Sequence, residues 1–375
     1  MKNLLKGKKV SLVACGLLLT SSFAFGADTI DAAFKDGKVS GSLTGYGVNY
    51  DLKDGGADSS FTSGAISLAY ETASLKGFNA KAGFIGVHVF SEKNDGDASD
   101  IASKALMTEA YGKYANDLVS VTIGRQAIDL EWMGDFHEAA VVAITAIPDT
   151  AVVLGYSNKK AVAGVDEVSE DFYKFNGNKG AYVADVKYSG LKGIEFNPYA
   201  YSAPDLANWY GLKTTFTADM FGLVAHYAAS DEDTLGTAEN GSMAAIELNT
   251  EVAGISAAIG YIKTDKDGGI GSMASVGDNY EPLDSGNAIY LEDAKMLYGS
   301  LGYSIAGVDL GAIYGVTTYG SADYKEKELN LTAGYSITES LSTSILYANI
   351  DGDEADATNA TTDQNYVLAS VEYTF

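Results

Sequence analysis

The feature that most constrains this chain is an alternation of period two, repeated in segments of about ten residues from end to end. Val119, Val121 and Ile123 alternate with Ser120, Thr122 and Gly124, and Tyr182, Ala184, Val186 and Tyr188 alternate with Val183, Asp185 and Lys187. Ile255, Ala257, Ile259 and Tyr261 are backed by Ser256, Ala258 and Gly260; Val308, Leu310, Ala312, Tyr314 and Val316 are backed by Asp309, Gly311, Ile313 and Gly315. Successive side chains of a strand point to opposite faces, so each segment reads as a strand with one apolar face and one small or polar face. The run of about 20 apolar residues that a membrane helix needs occurs nowhere after Gly26.

Tight turns join these segments in pairs. They lie at Leu75-Lys76-Gly77-Phe78, Tyr114-Ala115-Asn116-Asp117-Leu118, Ile147-Pro148-Asp149-Thr150 and Tyr188-Ser189-Gly190-Leu191-Lys192-Gly193-Ile194. Four more lie at Ala218-Asp219-Met220-Phe221, Thr250-Glu251-Val252-Ala253-Gly254-Ile255, Tyr303-Ser304-Ile305-Ala306-Gly307-Val308 and Tyr335-Ser336-Ile337-Thr338-Glu339-Ser340-Leu341. Gly, Asn, Asp and Pro supply the turn conformations. The connections between hairpins are longer, acidic and rich in Gly and Ser, as at 92–103, 165–179, 231–240, 265–293 and 351–363. Short turns at one end and long polar loops at the other are the asymmetry of an outer-membrane barrel.

Eight turns join sixteen strands, and one strand remains at each end, near 38–51 and 364–375. The expected fold is therefore all-β, an antiparallel transmembrane β-barrel of about eighteen strands, an even number as closure requires. A soluble sandwich would fill one face of its strands with large side chains. Here the face opposite the aliphatic one carries Gly, Ser, Thr, Asp and Lys, which suits water.

The start of the chain reads as an export leader. Met1 to Lys9 is basic, Val10 to Leu19 is mostly apolar, and Ala24-Phe25-Gly26 places small residues for a cut after Gly26. The domain reading is thus a signal peptide over 1–26 and a barrel over 27–375. Leu12-Val13-Ala14-Cys15 offers a competing lipoprotein box, but the apolar stretch before Cys15 is short and Gly16-Leu17-Leu18-Leu19 is no polar tether. Without the leader the chain holds 21 basic and 50 acidic groups, a net charge of −29, and no thiol. That balance excludes nucleic-acid binding, which needs a basic face, and excludes disulfide scaffolds and cysteine-ligated metal sites.

The last segment alternates Val367, Ala369, Val371, Tyr373 and Phe375 with Leu368, Ser370, Glu372 and Thr374. Its ending, carried by Val371, Tyr373 and Phe375, resembles the C-terminal signal read by the barrel-assembly machinery of Gram-negative outer membranes. Tyrosines recur near segment ends (Tyr70, Tyr188, Tyr227, Tyr261, Tyr303, Tyr335, Tyr373), where an amphipathic ring suits the headgroup level.

Ala33-Phe34-Lys35-Asp36-Gly37-Lys38-Val39-Ser40-Gly41-Ser42-Leu43 resembles the start of the OprD-type porins, especially their epsilon-proteobacterial branch. Ile123-Gly124-Arg125-Gln126, followed by Phe136-His137-Glu138-Ala139-Ala140, resembles that family around its third extracellular loop. The resemblance implies passive diffusion of small polar solutes, with the third loop folded inward and basic side chains along one wall. The chain departs from the pattern: the segment between residues 126 and 141 is short and acidic, and the pore arginines shrink to Arg125, the only arginine present.

Constriction candidates follow from charge. Asp129, Glu131, Asp135 and Glu138 stand against Arg125, and charges in a narrow pore set ion preference because a low-dielectric wall focuses their field. This favours cations; the alternative is an ordinary solvated loop. Alternation through Val121 and Ile123 would aim Arg125 at lipid, so it needs a bulge at Gly124, a place at the strand end, or a pairing with Asp129. Lys81, Lys187 and Lys213 fall on the polar face, as do Glu247, Glu251 and Asp309; with Arg125 the lysines form a sparse basic wall facing the acidic loop. The histidines His88, His137 and His226 are far apart in sequence, so a hydrolase constellation around His137 is a minor alternative, as is an adhesive surface barrel. Asp95-Gly96-Asp97 and Asp351-Gly352-Asp353-Glu354 do not complete an EF-hand. No cofactor is expected beyond divalent cations held loosely at acidic loops. The expected setting is the outer membrane of a Gram-negative bacterium. The expected partners there are outer-membrane lipid and lipopolysaccharide, the assembly machinery, small hydrophilic solutes and, by analogy, two further copies in a homotrimer.

Overall fold

The computed structural model describes residues 26–53, 56–233, 239–277, 280–353 and 363–375. Apart from Gly26, the expected leader lies outside them, as does Glu354. Eighteen strands carry the chain. They are β1 Lys38–Leu52, β2 Ser59–Glu71, β3 Phe78–Glu92, β4 Ala105–Ala115, β5 Val119–Ala127, β6 Phe136–Ile144, β7 Thr150–Ala161, β8 Ala181–Leu191 and β9 Ile194–Ala203. There follow β10 Ala207–Thr217, β11 Phe221–Glu232, β12 Ser242–Val252, β13 Ile255–Thr264, β14 Lys295–Ile305, β15 Val308–Tyr319, β16 Tyr324–Ser336, β17 Leu341–Gly352 and β18 Gln364–Thr374.

Every strand pairs antiparallel with its sequence neighbours, and β1 closes the ring on β18 from Ser42 opposite Thr374 to Leu52 opposite Gln364. A closed ring has no edge, so its backbone N–H and C=O groups find partners with no water at hand, which is the condition for crossing a bilayer with strands.

The eight tight turns fall where the sequence places them, all at the end that also holds both strand termini. Ala253 at φ +53 with Gly254 at φ +79, and Ala306 at φ +52 with Gly307 at φ +82, supply the two left-handed positions of hairpin turns matched to strand twist. At the opposite end run nine connections, here L1 to L9: 53–58, 93–104, 128–135, 162–180, 204–206, 233–241, 265–294, 320–323 and 353–363. L5 and L8 are as tight as the turns, so the asymmetry is strong without being complete.

The two faces separate, but the inner one is not wholly small and polar as the sequence suggests: over part of the ring it carries large apolar side chains, which the inward loops cover. Ile123, Tyr182, Ile259, Leu301 and Tyr314 stand exposed on the outer surface, which faces lipid, while Val183, Trp209, Met243 and Ile262 on the inner face are buried. Tyr70, Tyr188, Tyr303, Tyr335 and Tyr373 form a belt near the turn end, and Tyr227 and Tyr261 sit further up the wall. A short helix, α1 Ile30–Lys35, precedes the barrel and escapes the period-two reading. Thr29 caps it through a hydrogen bond from Ala32 N–H at 3.1 Å, and Ala33 packs on Ala27 and Ala73 at the β2–β3 turn.

Candidate functional site

L3 follows β5, whose register with β4 and β6 runs unbroken through Gly124. Gly124 takes φ +128, and a Cβ there would run into the Ala110 carbonyl, so only glycine serves. L3 then folds on itself: Ile128 N–H donates to the Asp135 carbonyl at 2.8 Å and Leu130 N–H to the Met133 carbonyl at 2.9 Å. His137 on β6 secures its far side. One ring nitrogen, Nε2, lies 2.7 Å from the Gly134 carbonyl and the other, Nδ1, 2.8 Å from the Ser157 hydroxyl. A carbonyl only accepts, so Nε2 carries the proton and Nδ1 accepts from Ser157. With its ring buried and both nitrogens engaged, His137 anchors a loop and is not poised to attack a substrate.

The tip of L3 crosses the lumen to the far wall. Trp132 is 0% exposed; its Nε1–H donates to Tyr199 Oη at 2.8 Å and its backbone N–H to Tyr201 Oη at 3.4 Å. Tyr199 in turn meets His226 Nε2 at 2.7 Å, and the indole stacks on the His226 ring with centroids 6.3 Å apart. Gly211, opposite Tyr199 on β10, leaves the space its ring occupies; a Cβ would strike it. Glu131 meets Lys213 of β10, with Nζ at 2.8 and 3.1 Å from the two carboxylate oxygens, and His226 Nδ1 lies 3.8 Å away.

L7 also turns inward, which the sequence reading missed. Ile270, Met273, Val276, Leu283 and Ile289 are all but inaccessible and join Leu130, Trp132 and Met133 in one apolar cluster with the inner faces of β6 to β15. Gly134 N–H reaches the Val276 carbonyl at 3.5 Å, tying L3 to L7. On the other side L7 is latched to the wall: Asp284 N–H donates to Asn330 Oδ1 at 3.0 Å, Ser285 N–H to Glu328 Oε1 at 3.0 Å, and Tyr366 to Asp284. The signal lay in apolar residues scattered through an otherwise polar loop. Burial raises the Tyr280 hydroxyl well above its ordinary value, with Glu247 and Glu131 adding to the shift. Asp265, at the entry to L7, accepts from Gly268 N–H at 3.0 Å and Asp267 N–H at 2.9 Å, which holds its carboxyl below the ordinary range.

The charged residues singled out from sequence fall into separate places. Asp129, Glu131 and Asp135 lie in L3, whereas Glu138, expected in the same loop, is a residue of β6 directly opposite Arg125. Arg125 donates through Nε to Glu138 at 3.0 Å, lies 3.5 Å from Asp171 of L4, and stacks on the Phe172 ring with its Cζ 4.2 Å from the centroid. Glu138 also holds Lys159 at 2.9 Å. Of the basic wall, Lys213 meets the acidic loop; Lys81 pairs with Glu109 of β4 at 2.8 Å, and Lys187 stays exposed near Asp185. Asp97 caps its own loop, accepting from the N–H groups of Ser60 and Asn94, both at 2.9 Å. A cavity of about 360 Å³ remains at the other side of the lumen, walled by Ser40, Ser42, Thr44, Ser67, Lys81 and Glu109 and roofed by Ala127, Phe136 and residues 163–165. Val371 and Tyr373 of β18 and Phe375 just past its end are exposed on the outer side.

Residues 33–220 match a protein family described as "Putative outer membrane protein". No curated protein matches the sequence. Among solved structures, OpdO of Pseudomonas aeruginosa superposes with a TM-score of 0.76 at 14% identity, covering 92% of this chain and 98% of that one. OccAB1 of Acinetobacter baumannii gives 0.75 at 12%, covering 93% and 98%, and OpdQ of P. aeruginosa gives 0.71 at 15%, covering 92% and 99%. At such identities the likeness is one of fold, and it is the eighteen-stranded barrel that is shared. With half its length in the family match and its strands closed into a transmembrane ring, the chain belongs to this family of outer membrane proteins and resides in the outer membrane of a Gram-negative bacterium.

Proposed function

We propose that the protein is a porin of the OprD type, a non-enzymatic channel for passive diffusion of ions and small hydrophilic solutes with a weak preference for cations. One observation carries the reading: L3 leaves the wall, crosses the lumen and places Glu131 on Lys213 and Trp132 on Tyr199. A loop that only faced water would have no cause to bury a tryptophan across a barrel. An inward loop narrows the lumen, and the carboxylates near the crossing, Glu131, Asp185 and Glu247, outnumber the lysines there, so the local field favours cations. Membership of an epsilon-proteobacterial branch, trimeric assembly, docking by the assembly machinery through Phe375 and loose divalent cations at the acidic loops all belong to this reading. Single-channel recording of the refolded protein under a KCl gradient tests it. An ohmic conductance with a cation-favouring reversal potential is expected; correctly folded barrels that pass no current would overturn the channel, and an anion-favouring potential would overturn the selectivity.

A further inference from the structure

The outer wall carries a groove that the channel reading does not use. Its floor runs across three strands where side chains are missing: Gly45 of β1 pairs with Gly64 of β2, and Gly86 of β3 lies beside them opposite Ile66. Leu43, Ile66, Val371 and Tyr373 form one bank and Phe90 the other, and the hollow measures about 620 Å³. All five bank residues point away from the lumen, so in the membrane this hollow meets lipid rather than water.

The end of the groove nearer the loops is basic. Lys104, the last residue of L2, is exposed and makes no ion pair among the described residues, and its backbone is fixed because its carbonyl accepts Val87 N–H at 2.8 Å. His88, opposite Gly64, is held edge-on against Phe90 with ring centroids 5.3 Å apart. Two carboxylates of this region are engaged by the loop itself: Glu92 at the end of β3 accepts Ala98 N–H and Asp97 of L2 accepts Ser60 N–H, both at 2.9 Å. A lysine on a lipid-facing wall sits poorly near hydrocarbon unless it reaches the interface or an anion meets it.

We propose that this groove seats an acyl chain of a phosphate-bearing lipid of the outer leaflet, with the phosphate on Lys104 and His88. The apolar floor accepts the chain, the glycines let it approach the backbone, and the two basic side chains fix the headgroup at the height of the loops. Basic side chains at a membrane surface recognise anionic lipid in this way.

Native mass spectrometry of the full-length protein in detergent, with diphosphoryl lipid A as the probe, tests the assignment. A retained lipid adduct is expected for the wild type. Lys104→Gln should lower the retained fraction about fivefold. Gly86→Leu should fill the hollow; a Cβ there meets Ile66 Cγ2 at 3.6 Å, an ordinary contact, so the barrel is expected to fold. Lys53→Gln, in L1 and away from the groove, should change nothing. Adducts that persist unchanged in Lys104→Gln, or that form equally with lipid A stripped of its phosphates, would overturn the proposal. If Gly86→Leu removed an oligomer and left the adduct, the groove would belong to a second copy of the chain. Should Gly86→Leu fail to fold, Lys104→Gln decides the matter alone.

Discussion

Neutralising Glu131 is the most direct probe of whether L3 governs the ion path. Its carboxylate holds Lys213 through both oxygens, at 2.8 and 3.1 Å, and the Lys213 side chain keeps 28% of its surface accessible, so the pair borders water. A monovalent ion passing about 7 Å away in water-like surroundings feels about 0.6 kcal/mol from one charge, close to RT. Glu131→Gln therefore lowers cation occupancy about threefold and raises that of anions as much, so the cation-to-anion permeability ratio falls about sevenfold. Lys213→Gln shifts the ratio by the same factor the other way, and the double variant returns near the wild type because both charges are gone. The assay is reversal potential in a planar bilayer at about 0.01 M ionic strength, where the Debye length of about 30 Å leaves the charges little screened at this range. If both single variants moved the ratio by less than about twofold, the pair would lie off the ion path and the reasoning would be refuted.

Three further outcomes follow from the geometry. Trp132→Ala removes a fully buried indole and its bond to Tyr199, a loss of about 3–5 kcal/mol in packing, and should free L3; larger, noisier single-channel steps are expected, and steps of wild-type size would show that L3 is not the constriction. Gly124→Ala places a Cβ at φ +128 and against the Ala110 carbonyl, costing about 1–3 kcal/mol, whereas Gly112→Ala meets nothing within 4 Å and serves as control; the heat-induced mobility shift on gels should fall for the first and not for the second. Asp265 has its carboxyl lowered by the N–H groups of Gly268 and Asp267, so its contribution to the L7 entry is present above the ordinary aspartate pKa of about 3.9 and lost as pH falls through the lower folded value; hydrogen exchange at residues 266–269 should rise on acidification in the wild type and lose that dependence in Asp265→Asn.

Much of this molecule was legible one residue at a time. Alternation in β13 and β15 requires only that one face meet lipid and the other not, and turns such as Ala253-Gly254 need backbone conformations that few residues adopt. Those local rules determined the strand count, the turn end, the inward placement of Lys81 and Lys213 and the outward placement of Phe375. What they could not settle was where the loops go. Charge makes L3 a constriction candidate but leaves a solvated loop as the alternative, because its destination depends on Tyr199, Tyr201, His226 and Lys213, some 70 to 95 residues further along the chain. Trp132 marks it only in hindsight, and L7 offers nothing clearer than Ile270, Met273 and Leu283 spread among glycines and aspartates.

Glu138 and Arg125 show the same division. Parity through Ile123 aims Arg125 outward; the register runs unbroken through Gly124, and the fold sets Arg125 beside Glu138, Asp171 and Phe172, which come from β6 and L4. Period-two chemistry is a property of neighbours in sequence, so the sequence alone determined the barrel and its two faces. Which charges meet inside the lumen is a property of neighbours in space, created only when the ring closes and brings L3 against β9, β10 and β11, and that the tertiary structure decided.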